Sequence, residues 1–145
     1  MIKFSLIKPG KSPQRGTDHS AGIDFFVPDT ADLIELEPGQ SANIESGVKC
    51  RIPNGYALIA MNKSGVAMRG LQVGACVVDA DYQGEIHIHV WNIGSKRVPI
   101  NPGDKLVQFL LIPVSYSMDI EIVAESELWK HRTARGTGMA GSTGT

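Results

Sequence analysis

The sequence predicts an all-β domain. Three observations predict it: short runs of β-branched and aromatic residues recur along the chain, Pro-Gly or Pro-Asn-Gly steps close one run before the next, and helical periodicity is scarce. Many short strands with regular turn chemistry argue for a sandwich or barrel and against βαβ units.

In order, strands are expected at residues 2–7, 23–27, 33–36, 42–44, 47–52 and 56–60, then a long hairpin over 71–92, and further strands at 105–114 and 118–123. Pro9-Gly10, Pro38-Gly39, Pro53-Asn54-Gly55 and Pro102-Gly103 punctuate them. Helical turns are expected only at 66–70 and 126–132. The hairpin organises the chain. Its second arm alternates Ile86, Ile88 and Val90 with His87, His89 and Trp91, and a polar turn ending at Gly84 precedes it. Asp79 falls where the first arm hands over to that turn, a place where a carboxylate is held on a rigid support and faces a cleft. Taken alone, Asp79 and Asp81 also read as turn formers, the commoner role of an Asp beside a Gly-containing turn.

Composition excludes several classes. With 145 residues the chain can bury one sizeable core, and 14 basic against 15 acidic residues give a net charge of −1. No cationic field for capturing nucleic acid or a membrane surface is present. Cys50 and Cys76 are far apart, without Cys-x-x-Cys spacing, and read as free thiols in a reducing cytoplasm. No secretory leader or membrane span is expected.

Four further stretches carry possible chemistry. Ser20-Ala21-Gly22-Ile23-Asp24 sets a carboxylate inside a strand, which by itself reads as a solvated residue or turn contact. In Asn62-Lys63-Ser64-Gly65-Val66-Ala67-Met68-Arg69-Gly70, Ser64 is expected to cap a short helix ended by Gly70, so that free N–H groups lie beside Lys63. That arrangement suits phosphate, and equally an ordinary capped turn. Gln108 interrupts the apolar run of 105–114 and requires a hydrogen-bond partner there. Residues 135–145 hold four Gly, four Ser or Thr and one Arg, the composition of a disordered terminus or of a segment that wraps a polyanion once bound. The spacing Gly136-x-Gly138-x-x-Gly141 is not a dinucleotide fingerprint, because no βα unit surrounds it. His87 and His89 share a strand face, a metal-site spacing without a third ligand.

These stretches resemble, in order, the five motifs of the trimeric dUTP pyrophosphatase (dUTPase) family. Residues 77–85 with Trp91-Asn92 look like the third motif, Ser20 to Asp24 the first, Asn62 to Gly70 the second, Gly103 to Val114 the fourth and Arg135 to Thr145 the fifth. Two departures stand out: Lys63 replaces the usual Arg, losing its two-pronged grip on phosphate, and Met139-Ala140 replaces a Gly-Phe pair whose ring would stack on the base. The resemblance implies a β-clip, jelly-roll-like barrel over residues 1–134, a mobile glycine-rich arm over 135–145, and a cytoplasmic homotrimer whose active sites are shared between subunits. It implies hydrolysis of dUTP to dUMP and pyrophosphate by in-line attack of water on the α-phosphorus, which keeps uracil out of DNA and supplies dUMP for thymidylate synthesis.

The implied roles follow residue by residue. Asp79 would be the base, and Mg²⁺ would ride on the phosphates with Asp24 and Gln108 in its outer shell. Lys63, Ser64, Gly65 and Arg135 would neutralise phosphate charge. Tyr82 would cover the deoxyribose, the backbone around Cys76, Val78 and His87 would read uracil, and Gly138, Gly141, Ser142 and Thr143 would close over the nucleotide. Two other readings use the same scaffold: a nucleotide-binding regulator with weak turnover, and a relative of dCTP deaminase.

Overall fold

The computed structural model describes residues 1–139 other than Cys76 and Ser117. Eleven strands and two short helices run in the order β1 (Lys3–Leu6), β2 (Ile23–Phe26), β3 (Ile34–Leu36), β4 (Ser41–Glu45), β5 (Val48–Arg51), β6 (Tyr56–Asn62), α1 (Ser64–Ala67), β7 (Leu71–Val73), β8 (Val77–Val78), β9 (His87–Asn92), β10 (Val98–Ile100), β11 (Lys105–Pro113) and α2 (Glu125–Leu128). The all-β class holds. Among the described residues the strands form four antiparallel sheets, β1-β5, β10-β3, β2-β11-β6-β8 and β4-β9-β7, without closing a barrel. Residues Met1–Ser115 make one compact unit and the chain from Tyr116 a second.

The first unit is built on β11, whose nine residues pair with β6 along one edge and with β2 along the other. Period-2 alternation sends Val107 and Phe109 into the core, where Phe25 lies 4.6 Å from Phe109 between ring centroids and meets Phe4 edge-on at 5.8 Å. Leu58, Ile88, Val90 and Ile100 complete this interior. Burying so many apolar side chains, each contributing about 1.5–3 kcal/mol, is what fixes the register of the strands. The alternation expected for the hairpin is present, with Ile88, Val90 and Asn92 buried and His87 and Trp91 exposed.

Four details differ from the sequence reading. The first arm of the hairpin divides: β7 pairs with β9, whereas β8 leaves that sheet and pairs with β6 through Leu58↔Val78 and Ile59↔Val77. The division starts at Gly74, where His89 packs so closely that a Cβ would sit 1.9 Å from its Nδ1. The strand at 98–100 was hidden by Pro99, which a two-stranded edge tolerates because its missing N–H need not serve the ladder. The run 118–123 carries no strand, and Ile120 and Ile122 stand 96% and 95% exposed, since alternation alone cannot hold a strand without a neighbour to pair with. Helices α1 and α2 each begin one or two residues earlier than expected and stop sooner.

Buried Asn92 ties the far end of β9 to three loops. Its Nδ2 donates to the carbonyls of Leu36 and Lys96, each at 2.8 Å, and its Oδ1 accepts from the Gly94 N–H at 3.0 Å. No helix among the described residues is long and apolar enough to cross a membrane.

Candidate active site

Two clusters in the first unit take up the candidate residues. The first is an open pocket of about 420 Å³ lined by Val78, Asp79, Tyr82 and His87, with Asn43 and the Phe109 ring among its walls. Asp79 is exposed and ends β8, so its carboxylate is presented to solvent from a strand terminus. Its carbonyl accepts from the Tyr82 N–H at 3.2 Å, closing the turn. Tyr82 is laid down by Gly84: a Cβ there would lie 2.3 Å from the phenol oxygen, and the hydroxyl donates to the Glu85 carbonyl at 2.9 Å. Glu85 in turn anchors the turn, accepting from the Gly47 N–H at 2.6 Å and pairing with Lys8 at 3.2 Å. The Asp79–Tyr82 turn is therefore a braced element and not a floppy tip.

The second cluster lies on the outward face of the β2-β11-β6 sheet. Gln108 pairs across strands with Asp24 on one side and Met61 on the other, and antiparallel partners share a face. Asp24 is not the solvated residue its isolated sequence suggests; it is 4% exposed and ion-paired to two lysines. Lys63 Nζ donates to its Oδ1, and Lys105 Nζ lies 3.0 Å from its Oδ2. Burial by itself pushes the Asp24 carboxyl up, but the hydrogen bonds from Lys63 and then Lys105, reinforced by their charges, hold it below the ordinary carboxylate value. Gln108 has the partner its burial required: its Nε2 donates to the Asn62 carbonyl at 2.9 Å. Gly22 makes room for that amide, since a Cβ there would come within 2.2 Å of Oε1.

Lys105 is the residue that sequence reasoning passed over. Its register partner is Phe26, while Val107 pairs with Phe25, so β11 carries one extra residue between them. That bulge turns Lys105 onto the face shared by Phe26 and Asp24, where regular alternation from Gln108 would have turned it away. A Lys three positions before Gln108 gave no signal, because a bulge is a tertiary feature.

The expected cap at α1 is corrected. Lys63, not Ser64, occupies the cap position, and no side-chain cap hydrogen bond forms. Ser64 is the first helical residue, with Lys63 supplying the carbonyl to the N–H groups of Val66 and Ala67 at 3.0 and 2.8 Å. Gly70, at φ +90°, ends the turn as expected. The N–H groups of Ser64 and Gly65 remain unused by the helix, as at any helix start.

The two clusters are not one site within a chain. Val78, next to Asp79, pairs with Leu58, and Lys63 follows Leu58 by five residues, roughly 17 Å along a strand at about 3.3 Å per residue. In the second unit Arg135 Nε donates to the Gly138 carbonyl at 3.2 Å, and both residues are at least partly accessible. Cys76, Gly141, Ser142 and Thr143 lie outside the described residues, as does Ala140 of the departing pair. Among the described residues no three His, Cys, Asp or Glu side chains converge as a metal cage. His87 faces the first pocket and His89 packs on Gly74, so the pair holds no metal between them.

A carboxylate at the lip of a pocket, and a separate lysine–carboxylate–amide cluster, are the equipment of a phosphate-cleaving hydrolase on a β scaffold. The chain belongs to the dUTPase family: the family model described as dUTPase matches residues 8–144. It is 33% identical to the deoxyuridine 5'-triphosphate nucleotidohydrolase of Escherichia phage T5, over 100% of this chain and 99% of that one. Among solved structures, the dUTPase of Staphylococcus bacteriophage 80alpha with dUpNHpp superposes with a TM-score of 0.83 at 22% identity, covering 100% of this chain and 99% of that chain. The dUTPase from phage phi11 of S. aureus, described as coordinating a structural Mg(II) ion, gives 0.77 at 25% identity over 88% and 99%.

Proposed function

We infer that this chain hydrolyses dUTP to dUMP and pyrophosphate. The observation that carries the reading is the first pocket, which gathers Val78, Asp79, Tyr82 and His87 around one open volume. In this reading Asp79 accepts the proton of a water aimed at the α-phosphorus, and the braced turn keeps the carboxylate from swinging away. Tyr82, held flat over Gly84, presents its ring to the deoxyribose and leaves no room for a 2′-hydroxyl. The backbone beside Cys76, Val78 and His87 pairs with uracil, and the narrow space disfavours a methyl at the position where thymine carries one.

Lys63 and the N–H groups of Ser64 and Gly65 take phosphate oxygens, so charge leaving with pyrophosphate is met by donors already oriented. The arm of residues 135–145, through Arg135, Gly138, Gly141, Ser142 and Thr143, adds donors over the nucleotide. The distance between the two clusters along β6 supports a homotrimer in which Asp79 of one subunit works with Lys63-Ser64-Gly65 of a second and the arm of a third.

The residues present fit Mg²⁺ carried by the phosphates and its own waters, because Asp24 and the Gln108 amide are oxygen acceptors side by side and no all-protein cage is needed. Bound there, the ion would neutralise charge on the triphosphate. A cytoplasmic setting, of a cell or an infected host, completes the proposal.

The test is pyrophosphate release from dUTP with Mg²⁺. Asp79→Asn is expected to lower kcat by about 10²–10⁴ with little change in dUTP affinity. Tight binding without turnover by the unaltered protein would favour a regulator on this scaffold, and ammonia release from dCTP would favour a deaminase.

A further inference from the structure

We propose that Lys105 is a positioning residue for phosphate binding: it holds one oxygen of Asp24 so that Lys63 is free to leave the other for the substrate's triphosphate. The inference rests on reading Lys63 as a phosphate-binding group.

The argument begins from a conflict. Lys63 is the cation of the phosphate-binding segment, yet its Nζ is engaged by Asp24 Oδ1. A carboxylate with a side chain only 6% exposed cannot be left without a cation at little cost. Were Lys63 its sole partner, phosphate would have to compete with a buried anion for that lysine. Lys105 removes the conflict, because it reaches the opposite oxygen at 3.0 Å and comes from a different strand, so its hold on Asp24 does not depend on where Lys63 points.

Residue chemistry agrees. Lys63 Nζ is a compact charge on four rotatable carbons, able to exchange one oxygen anion for another by rotation, whereas a guanidinium forked onto Asp24 would give up a planar pair of hydrogen bonds. The side chain of Lys63 is 21% exposed, so its head group reaches both the carboxylate and solvent beside Ser64 and Gly65. The bulge in β11 supports the assignment independently. It breaks the ladder between Lys105 and Val107, and its consequence is to bring Lys105 to Asp24. Lys63 then has two stations, on Asp24 in the empty site and on phosphate in the filled one, and Lys105 supplies the countercharge that makes the second reachable.

The test is binding of a non-hydrolysable dUTP analogue by calorimetry at saturating Mg²⁺, together with steady-state kinetics, for Lys105→Met, Lys105→Arg, Lys63→Met, Asp24→Asn and the Asp24→Asn/Lys105→Met double variant. Lys105→Met is expected to weaken the analogue at least tenfold and to raise KM for dUTP by a similar factor, with kcat falling much less. Lys105→Arg should restore affinity to within threefold. Because Lys105 acts through Asp24, adding Lys105→Met to Asp24→Asn should change affinity less than twofold. The double variant removes the buried charge with its countercharge, and it decides the matter even if Lys105→Met alone does not fold. A Lys105→Met variant that binds like the unaltered protein, or a double variant that loses a further tenfold, overturns the proposal. If Lys63→Met leaves affinity unchanged, the phosphate role of Lys63 fails as well; if Lys63→Met weakens binding and Lys105→Met does not, the positioning role alone fails.

Discussion

Replacing Gly22 by Ala places a methyl where there is no space for one. The added Cβ would lie 2.2 Å from Gln108 Oε1 and 2.9 Å from both Cβ and Cδ of the same residue. Rotating the amide relieves the first contact but not the second, because Gln108 Cβ is fixed to the β11 backbone. The side chain must therefore shift by about 1 Å and release the Asn62 carbonyl it holds at 2.9 Å. Overpacking of this kind costs about 1–3 kcal/mol, and the lost hydrogen bond adds about 1 kcal/mol. A total near 2–4 kcal/mol corresponds to a fall in Tm of roughly 5–15 °C for a domain of this size. Displacing a substrate-facing amide by 1 Å lowers kcat/KM by about 10²-fold.

Calorimetric melting and pyrophosphate release measure the two effects separately. The Gly22→Ala/Gln108→Ala double variant should recover most of the Tm, since the clash is gone, yet remain slow. Melting within 2 °C of the unaltered protein and turnover within threefold, both for Gly22→Ala alone, would refute this account of why a glycine stands before the strand that bears Asp24.

Two further outcomes follow from the structure. Asn92→Ala strips partners from the carbonyls of Leu36 and Lys96 and the N–H of Gly94, and should cost about 3–5 kcal/mol, read as a lower midpoint with an unchanged slope in urea unfolding. The Asp24 carboxyl titrates below its ordinary value, so its contribution to stability is complete above the unfolded carboxylate pKa of about 4 and is lost as pH falls through the lower folded value. The stability gap between the unaltered protein and Asp24→Asn should accordingly be widest near neutrality and narrow below about pH 4, in urea melts followed by circular dichroism.

Some of this protein was determined by the chain alone. Alternation of Ile86, Ile88 and Val90 with polar neighbours sets a strand face because the side-chain period of a strand is two, and Pro-Gly steps set its turns because their backbone preferences are local. Gln108 had to find a hydrogen-bond partner for the same kind of reason, an amide in an apolar run. Gly84 was legible as a turn closer, though not as the seat on which Tyr82 lies.

What only the tertiary structure decided is where charge and register meet. Asp24 reads as a solvated residue until β11 covers it and two lysines, 39 and 81 positions further along the chain, arrive on its two oxygens. The splitting of the hairpin between two sheets depends on His89 pressing against Gly74, and the orientation of Lys105 depends on a bulge; neither has a local signature. Hydrophobic periodicity and turn propensity are properties of neighbouring residues, whereas countercharge, close approach and strand partnership are properties of residues that folding brings together.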